Sequence, residues 1–213
     1  MNALAIKICG LSTTDMVDQA LAAQATHIGL VFFPKSPRNV GIEQAAALAQ
    51  QARGRASVVG LFVNPEADLL HAVRQAVHLD AIQLHGHETP AKAAQIRAAH
   101  GIEVWKAIGV RKRADLDAAA PFVGAVDRIL YDAKPPEGAD LPGGTGLRID
   151  WSLMKGHRHP LPWLLAGGLT PDNVAEAIAI TGAPGVDVSS GVESAPGVKD
   201  ADKIIAFCRA ARG

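Results

Sequence analysis

The stretch Gly185-Val186-Asp187-Val188-Ser189-Ser190-Gly191-Val192-Glu193 runs from a short apolar strand into a Ser-Ser-Gly turn. Small hydroxyls and backbone N–H groups can converge on an anion there. Earlier in the chain, Leu164-Leu165-Ala166-Gly167-Gly168 repeats the theme, an apolar strand opening into paired glycines. Two adjacent strand ends of this kind make a phosphate cup. In an eightfold βα barrel, the loops after strands 7 and 8 are where such a cup forms. A glycine pair by itself is an ordinary turn. The two together, late in a chain of this length, favour a phosphorylated substrate.

Working outward, short apolar runs alternate with longer amphipathic ones. Strands are expected at Ala5–Cys9, His27–Phe33, Ala56–Val63, Ala81–Leu84, Glu103–Ala107, Arg128–Tyr131, Trp163–Ala166 and Gly185–Val188. Leu69, Val73, Ala76 and Val77 form one helical stripe between them, and Val174, Ala177, Ile178 and Thr181 another. Thr89-Pro90 and Thr170-Pro171 each set a capping residue before a proline at the first helical position, and Asp150 caps a segment at Trp151. Helical signals are weakest around Arg113–Ala119 and after the sixth strand.

Eight βα units in 213 residues suit a single (β/α)8 TIM barrel of near-minimal size, an α/β fold spanning residues 1–213. A doubly wound open sheet would expose two edges and would carry a glycine-rich turn after its first strand. Cys9-Gly10-Leu11-Ser12 holds one glycine. The Pro- and Gly-rich segment from Pro135 to Gly146 reads as a mobile active-site loop rather than a linker, because the alternating series resumes beyond it.

The chain is 48% hydrophobic with a formal net charge of zero, as expected of a globular protein and not of one that neutralises nucleic-acid phosphates. No apolar run reaches the roughly 20 residues that cross a bilayer, and the N-terminus is too short before its first strand for a signal peptide. Cys9 and Cys208 lie at opposite ends without disulfide or zinc spacing, which fits a cytoplasmic compartment. Oligomeric state stays open between monomer and homodimer.

Active residues of a parallel barrel gather at the C-terminal ends of its strands. Those ends offer Cys9, Phe32-Phe33, Asn64, His85, Lys106, Asp132, Gly167-Gly168 and Asp187–Ser189. Lys7 and Cys9 share one strand face, so a cation lies one layer below the sulfur and favours its thiolate, a base near neutral pH. Asp187, on the strand adjoining the first in a closed barrel, can hold Lys7. Plainer alternatives stand beside each: a buried hydrophobe for Cys9, a capping or loop-bracing carboxylate for Asp132, a structural ion pair for Lys7. Cys208 falls on the helical stripe Ile204, Cys208, Ala211 and packs against the barrel wall. His85-Gly86-His87 with Glu88 invites a metal, but too few further ligands stand at other strand ends. His85 is expected to line the pocket and His87 to face solvent. His157 and His159 lie before the seventh strand, away from the chemistry.

In order along the chain stand Lys7-Ile8-Cys9-Gly10, Gly60-Leu61-Phe62-Val63-Asn64, Gln83-Leu84-His85-Gly86, Asp132, Gly143-Gly144-Thr145-Gly146, Ala166-Gly167-Gly168-Leu169 and Asp187 through Glu193. This succession resembles the phosphoribosylanthranilate isomerases of tryptophan biosynthesis over essentially the whole chain. Tyr131 departs from the pattern, since an aliphatic residue or phenylalanine is expected before the acid; it should point out of the barrel. The resemblance implies a (β/α)8 barrel and an Amadori rearrangement of N-(5-phosphoribosyl)anthranilate to an aminodeoxyribulose phosphate. It implies Asp132 as general acid on the ribose ring oxygen and Cys9 as the base that takes the C2 proton. An iminium serves as electron sink, so neither metal nor organic cofactor is implied. The phosphate would rest on Gly167, Gly168, Ser189, Ser190 and Gly191. Arg38 would take the anthranilate carboxylate, although by itself it reads as a solvated loop charge. His85 would line the pocket, and Asp187 would contact a ribose hydroxyl or hold Lys7. The rival readings are a sister phosphate-binding barrel acting on another aminosugar phosphate, which resembles a two-aspartate design with a second phosphate cup, and a non-catalytic phosphosugar-binding barrel.

Overall fold

In the computed structural model, which describes residues 4–134, 136, 143–144 and 146–213, eight parallel strands hydrogen-bond in chain order and the last returns to the first. They are β1 (Ala5–Cys9), β2 (His27–Phe32), β3 (Ser57–Phe62), β4 (Ala81–Leu84), β5 (Glu103–Val110), β6 (Arg128–Ala133), β7 (Trp163–Leu165) and β8 (Gly185–Val188). The seam pairs Lys7 with Asp187. Closure leaves no sheet edge, which rules out the open doubly wound alternative.

Side chains alternate across each strand. Val59, Ala81, Trp105, Ala107, Leu130, Leu164 and Ala166 fill the barrel, with Cys9, Val31 and Leu61 in a separate cluster. Opposite faces of the same strands, such as Ile6, Ile8, Ile28 and Ile129, pack outward under the helices and are fully buried. Each such side chain contributes about 1.5–3 kcal/mol relative to exposure.

Among the described residues six α-helices cover the wall: α1 (Thr14–Ala22), α2 (Ile42–Ala52), α3 (Ala67–Ala76), α4 (Pro90–His100), α5 (Val174–Thr181) and α6 (Ala201–Arg212). Thr89 caps α4 as expected, its side chain accepting from Lys92 N, with Pro90 in the first turn. The face of α3 differs from the expected stripe. Leu70, Val73 and Val77 are buried while Leu69 is 36% exposed, because the 3–4 spacing 70-73-77 meets the wall. Nor does α5 begin at Pro171. Asn173 Oδ1 accepts from Thr170 N, and Thr170 O accepts from Val174 N, so residues 170–173 make a turn and the helix starts one turn late.

The two weakest helical positions are 3-10 segments, Arg113–Phe122, with Pro121 near its end, and the four-residue Trp151–Met154. Asp150 caps the latter through Ser152 N at 3.0 Å. A two-stranded antiparallel ribbon, β9 (Glu193–Ala195) and β10 (Val198–Lys199), follows the Ser-Ser-Gly turn. Tyr131 points out of the barrel as expected, fully buried with its ring 5.2 Å from His159 and 5.7 Å from Trp163. Most of the expected loop from Pro135 to Gly146 lies outside the described residues. No helix among the described residues is long and apolar enough to cross a membrane.

Candidate active site

Lys7 and Cys9 both face inward from β1, and Asp187 meets Lys7 from β8. Lys7 Nζ donates to Asp187 Oδ1 at 2.7 Å, with Lys7 fully buried. Burial pulls the lysine pKa down, but Asp187, and Cys9 when ionised, outweigh it and push it up to about 12. Lys7 is therefore a fixed cation beneath the sulfur. The expected thiolate is a different matter. Burial pushes the Cys9 thiol above its ordinary value, and Lys7 only partly offsets that while Asp187 pushes the same way. The cation is shared with a carboxylate, so the free site holds a thiol.

Across the barrel, β6 continues past its expected end at Tyr131, so Asp132 is a strand residue. Leu130 and Asp132 alternate inward around Tyr131. Asp132 Oδ1 accepts from Ala133 N at 2.8 Å, and Oδ2 lies 3.2 Å from His85 Nε2. His85 Nδ1 in turn lies 3.1 Å from Gln83 Nε2. Gln83 is completely buried on the inner face of β4. It stood inside a quoted motif, but a glutamine in an apolar strand gave no signal of a role.

Arg38 is 6% exposed, not a solvated loop charge. Its Nε and Nη2 donate to the two carboxylate oxygens of Glu193 at 2.7 and 2.8 Å, and Nη2 reaches Gly144 O at 3.3 Å. Lys199 Nζ joins Glu193 Oε1 at 2.7 Å and Ser189 O at 2.9 Å. Burial works against the charge on Glu193, but Arg38 and Lys199 outweigh it and hold the carboxyl below the usual glutamate range. Glu193 and Lys199 were missed as site residues. Their shared charge pattern could be read only after β9 and β10 brought them back beside Arg38.

Gly167, Gly168, Ser189, Ser190 and Gly191 form a concave wall at the ends of β7 and β8. Gly167 has φ +80°, and a Cβ there would come 2.6 Å from Ala133 N. At Gly191 a Cβ would meet Leu169 O at 1.8 Å. Only glycine lets the main chain pack this closely at these two positions. The Ser189 hydroxyl donates to Cys9 O at 3.1 Å, tying the cup to β1.

Cys9, Arg38, His85, Asp132, Asp187 and the five residues of the cup line one cavity. Gly143, Gly144 and Gly146 also line it.

Some expected candidates fall away. Lys106 is not at a strand end, because β5 runs on to Val110. Its neighbours Trp105 and Ala107 face inward, so Lys106 faces outward. Its Nζ binds Gly86 O at 2.7 Å and Glu88 Oε2 at 3.0 Å. Glu88 also accepts from Asn64 N and Gly86 N, so it braces the loop rather than awaiting a metal. His87 is exposed. No group of three or more His, Cys, Asp or Glu among the described residues is arranged to hold a metal ion. Cys208 is buried on α6, and its thiol is pushed up to about 11 by burial. His159 stacks on Trp163 at 4.0 Å outside the wall.

Comparison with known proteins agrees with this geometry. The profile of the family described as PRAI: N-(5'phosphoribosyl)anthranilate (PRA) isomerase matches residues 6–210. The N-(5'-phosphoribosyl)anthranilate isomerase of Paramagnetospirillum magneticum is 55% identical over 208 residues, covering 98% of this chain and 97% of that protein. That of Paracoccus denitrificans is 55% identical over 205 residues, covering 96% and 95%. The crystal structure of phosphoribosyl anthranilate isomerase from Thermotoga maritima superposes with a TM-score of 0.85 at 36% identity, covering 99% of each chain. A phosphoribosyl anthranilate isomerase in complex with reduced 1-(o-carboxyphenylamino)-1-deoxyribulose 5-phosphate superposes with a TM-score of 0.83 at 34% identity, again over 99% of each chain. A closed barrel with a cavity that joins a buried thiol, a carboxyl, an arginine and a glycine cup is thus matched along nearly its whole length, and the chain belongs to the phosphoribosylanthranilate isomerase family.

Proposed function

We propose that this barrel converts N-(5'-phosphoribosyl)anthranilate into 1-(o-carboxyphenylamino)-1-deoxyribulose 5-phosphate, with Asp132 as general acid and Cys9 as general base. The observation that carries the reading is that both groups open into one cavity from different strands, between a glycine cup and a buried arginine. The substrate is anionic at both ends. Its phosphate takes the N–H groups of Gly167, Gly168, Ser190 and Gly191, with Ser189 contributing mainly through its main chain. Its carboxylate takes the Nη1 side of the Arg38 guanidinium, whose Nε and Nη2 are held by Glu193 and Gly144 O.

Between these anchors Asp132 gives its proton to the ribose ring oxygen. The C1–O bond breaks, and the anthranilate nitrogen lone pair forms C=N. Cys9 then removes the proton from C2 as the electrons flow into the iminium, and the enolamine tautomerises to the ketone. Removing C2–H next to an iminium needs only a modest base: the Cys9 thiol first releases its own proton to solvent, which the cationic iminium and Lys7 favour, and the resulting thiolate takes the proton from C2. Positioned proton transfers contribute about 10²–10⁴-fold each, and holding both anions in place supplies much of the rest. A cytoplasmic monomer or homodimer completes the reading.

The test is the loss of anthranilate-type fluorescence when purified protein meets freshly generated phosphoribosylanthranilate, with Cys9→Ala beside wild type. Rapid loss with wild type alone supports the assignment. No loss with a folded wild type would rule out this substrate and turn attention to the aminosugar phosphates of sister barrels.

A further inference from the structure

Gln83 lies two residues before His85 on the inner face of β4, completely buried, and the proton transfers above do not use it. Resting on the isomerase reading, we propose that Gln83 is a positioning residue: it fixes which nitrogen of His85 carries the proton, and through His85 it prepares Asp132 to act as an acid.

A neutral imidazole has one N–H, and the partner of one nitrogen decides the state of the other. Gln83 Nε2 faces His85 Nδ1 at 3.1 Å. An amide nitrogen only donates, so Nδ1 accepts and the ring proton sits on Nε2. Nε2 lies 3.2 Å from Asp132 Oδ2, so its proton is the one on the side of the ring nearer the carboxyl. Asp132 Oδ1 already accepts from Ala133 N at 2.8 Å.

When Asp132 gives its proton to the ring oxygen, the electron pair of the breaking C1–O bond stays on that oxygen and negative charge remains on the carboxylate. The Ala133 N–H already in place meets that charge, and an Nε2–H 3.2 Å away needs only a small adjustment to add a second donor. With the other tautomer, a nitrogen lone pair would face the new carboxylate. The amide also carries a cost: Gln83 Oε1 is buried with no hydrogen-bond partner among the described residues. Leucine or methionine would fill the same space without an unsatisfied oxygen. The nitrogen end of the side chain accounts for its presence.

Two variants and two readouts test the idea. Gln83→Glu, which as a carboxylate only accepts, should move the ring proton to Nδ1. Gln83→Met should release the tautomer without imposing the other. Nitrogen NMR of the His85 ring in resting protein at mildly alkaline pH, assigned with His85→Asn, reads the tautomer. We expect Nε2–H in wild type and Nδ1–H in Gln83→Glu, with kcat lowered about 10²-fold and KM little changed. Gln83→Met should fall between them. Nδ1–H in wild type would overturn the proposal. So would a shifted tautomer with unchanged kcat, or a lowered kcat with an unshifted tautomer. A wild type inactive on phosphoribosylanthranilate would overturn the isomerase reading and the catalytic half of this one. Active wild type with the wrong tautomer overturns this proposal alone.

Discussion

Glu193 grips Arg38 by two nitrogens, Nε at 2.7 Å and Nη2 at 2.8 Å, from a position far along the chain. Both side chains are more than nine-tenths buried. A guanidinium held along one edge has lost most of its rotamer freedom before any ligand arrives, so little ordering cost remains for binding a carboxylate. The same Glu193 binds Lys199, which also holds Ser189 O. One glutamate therefore connects the arginine wall of the cavity to the phosphate cup.

Arg38→Ala should raise KM for phosphoribosylanthranilate strongly, by about 10–100-fold, as expected for losing hydrogen bonds to a charged group. Glu193→Gln should raise it less, about tenfold, because the amide keeps one acceptor but turns a donor toward Nη2. Steady-state kinetics of the two variants checks the order. Equal KM values in wild type and Glu193→Gln would mean that the grip is not used in binding.

Cys9→Ala and Asp132→Asn should each lower kcat by about 10²–10⁴-fold while the thermal midpoint stays near that of wild type. Both side chains line a cavity and remove little packing when changed. Retention of full kcat in either variant contradicts the assigned proton transfers.

Burial holds the Cys9 thiol above its ordinary value of 9.0, with Lys7 only partly offsetting it. Alkylation of Cys9 in the free protein should therefore speed up about tenfold per pH unit through neutrality, since the thiolate is the reactive form. Lys7→Met should slow it further. A rate that levels off at or below neutral pH would show a resting thiolate instead.

His27 and His159 are both held down to about 4, His27 by burial and then by Lys7, and His159 by burial and then by His157. Their folded values lie below the ordinary 6.5. Between about 4 and 6.5 the unfolded chain binds more protons than the folded one, so stability falls as pH drops through that window and is intact above it. Thermal midpoints measured across the window should decline, and His27→Gln with His159→Gln should flatten the decline. An unchanged slope in the double variant would assign the acid sensitivity elsewhere.

The architecture was legible because each strand was apolar, short and flanked by turn residues, and eight such runs in one chain have few ways to bury both faces. The helical start at Thr170-Pro171 misled, since the Asn173 side chain accepts from Thr170 N and residues 170–173 form a turn ahead of the helix. The stripe on α3 was misjudged by one residue, because Leu69 and Leu70 are equally apolar and only the wall chooses between them. Asp132 was legible as a candidate but not as a strand residue. Where β6 ends depends on pairing with β5 out to Val110.

The sequence by itself determined the periodicity, the glycines that let the chain approach closely, and the chemical types gathered at the strand ends, because these depend on local sterics and on which side chain stands where. Tertiary structure alone decided the charges and protons of the site. Whether Cys9 rests as thiol or thiolate depends on how Lys7 divides its field between sulfur and Asp187. Whether Arg38 is solvated or fixed depends on Glu193, brought back by β9. Whether His85 presents a proton or a lone pair to Asp132 depends on Gln83. Electrostatic interactions act through space and grow as water is excluded, so they are set only once the barrel has closed around them.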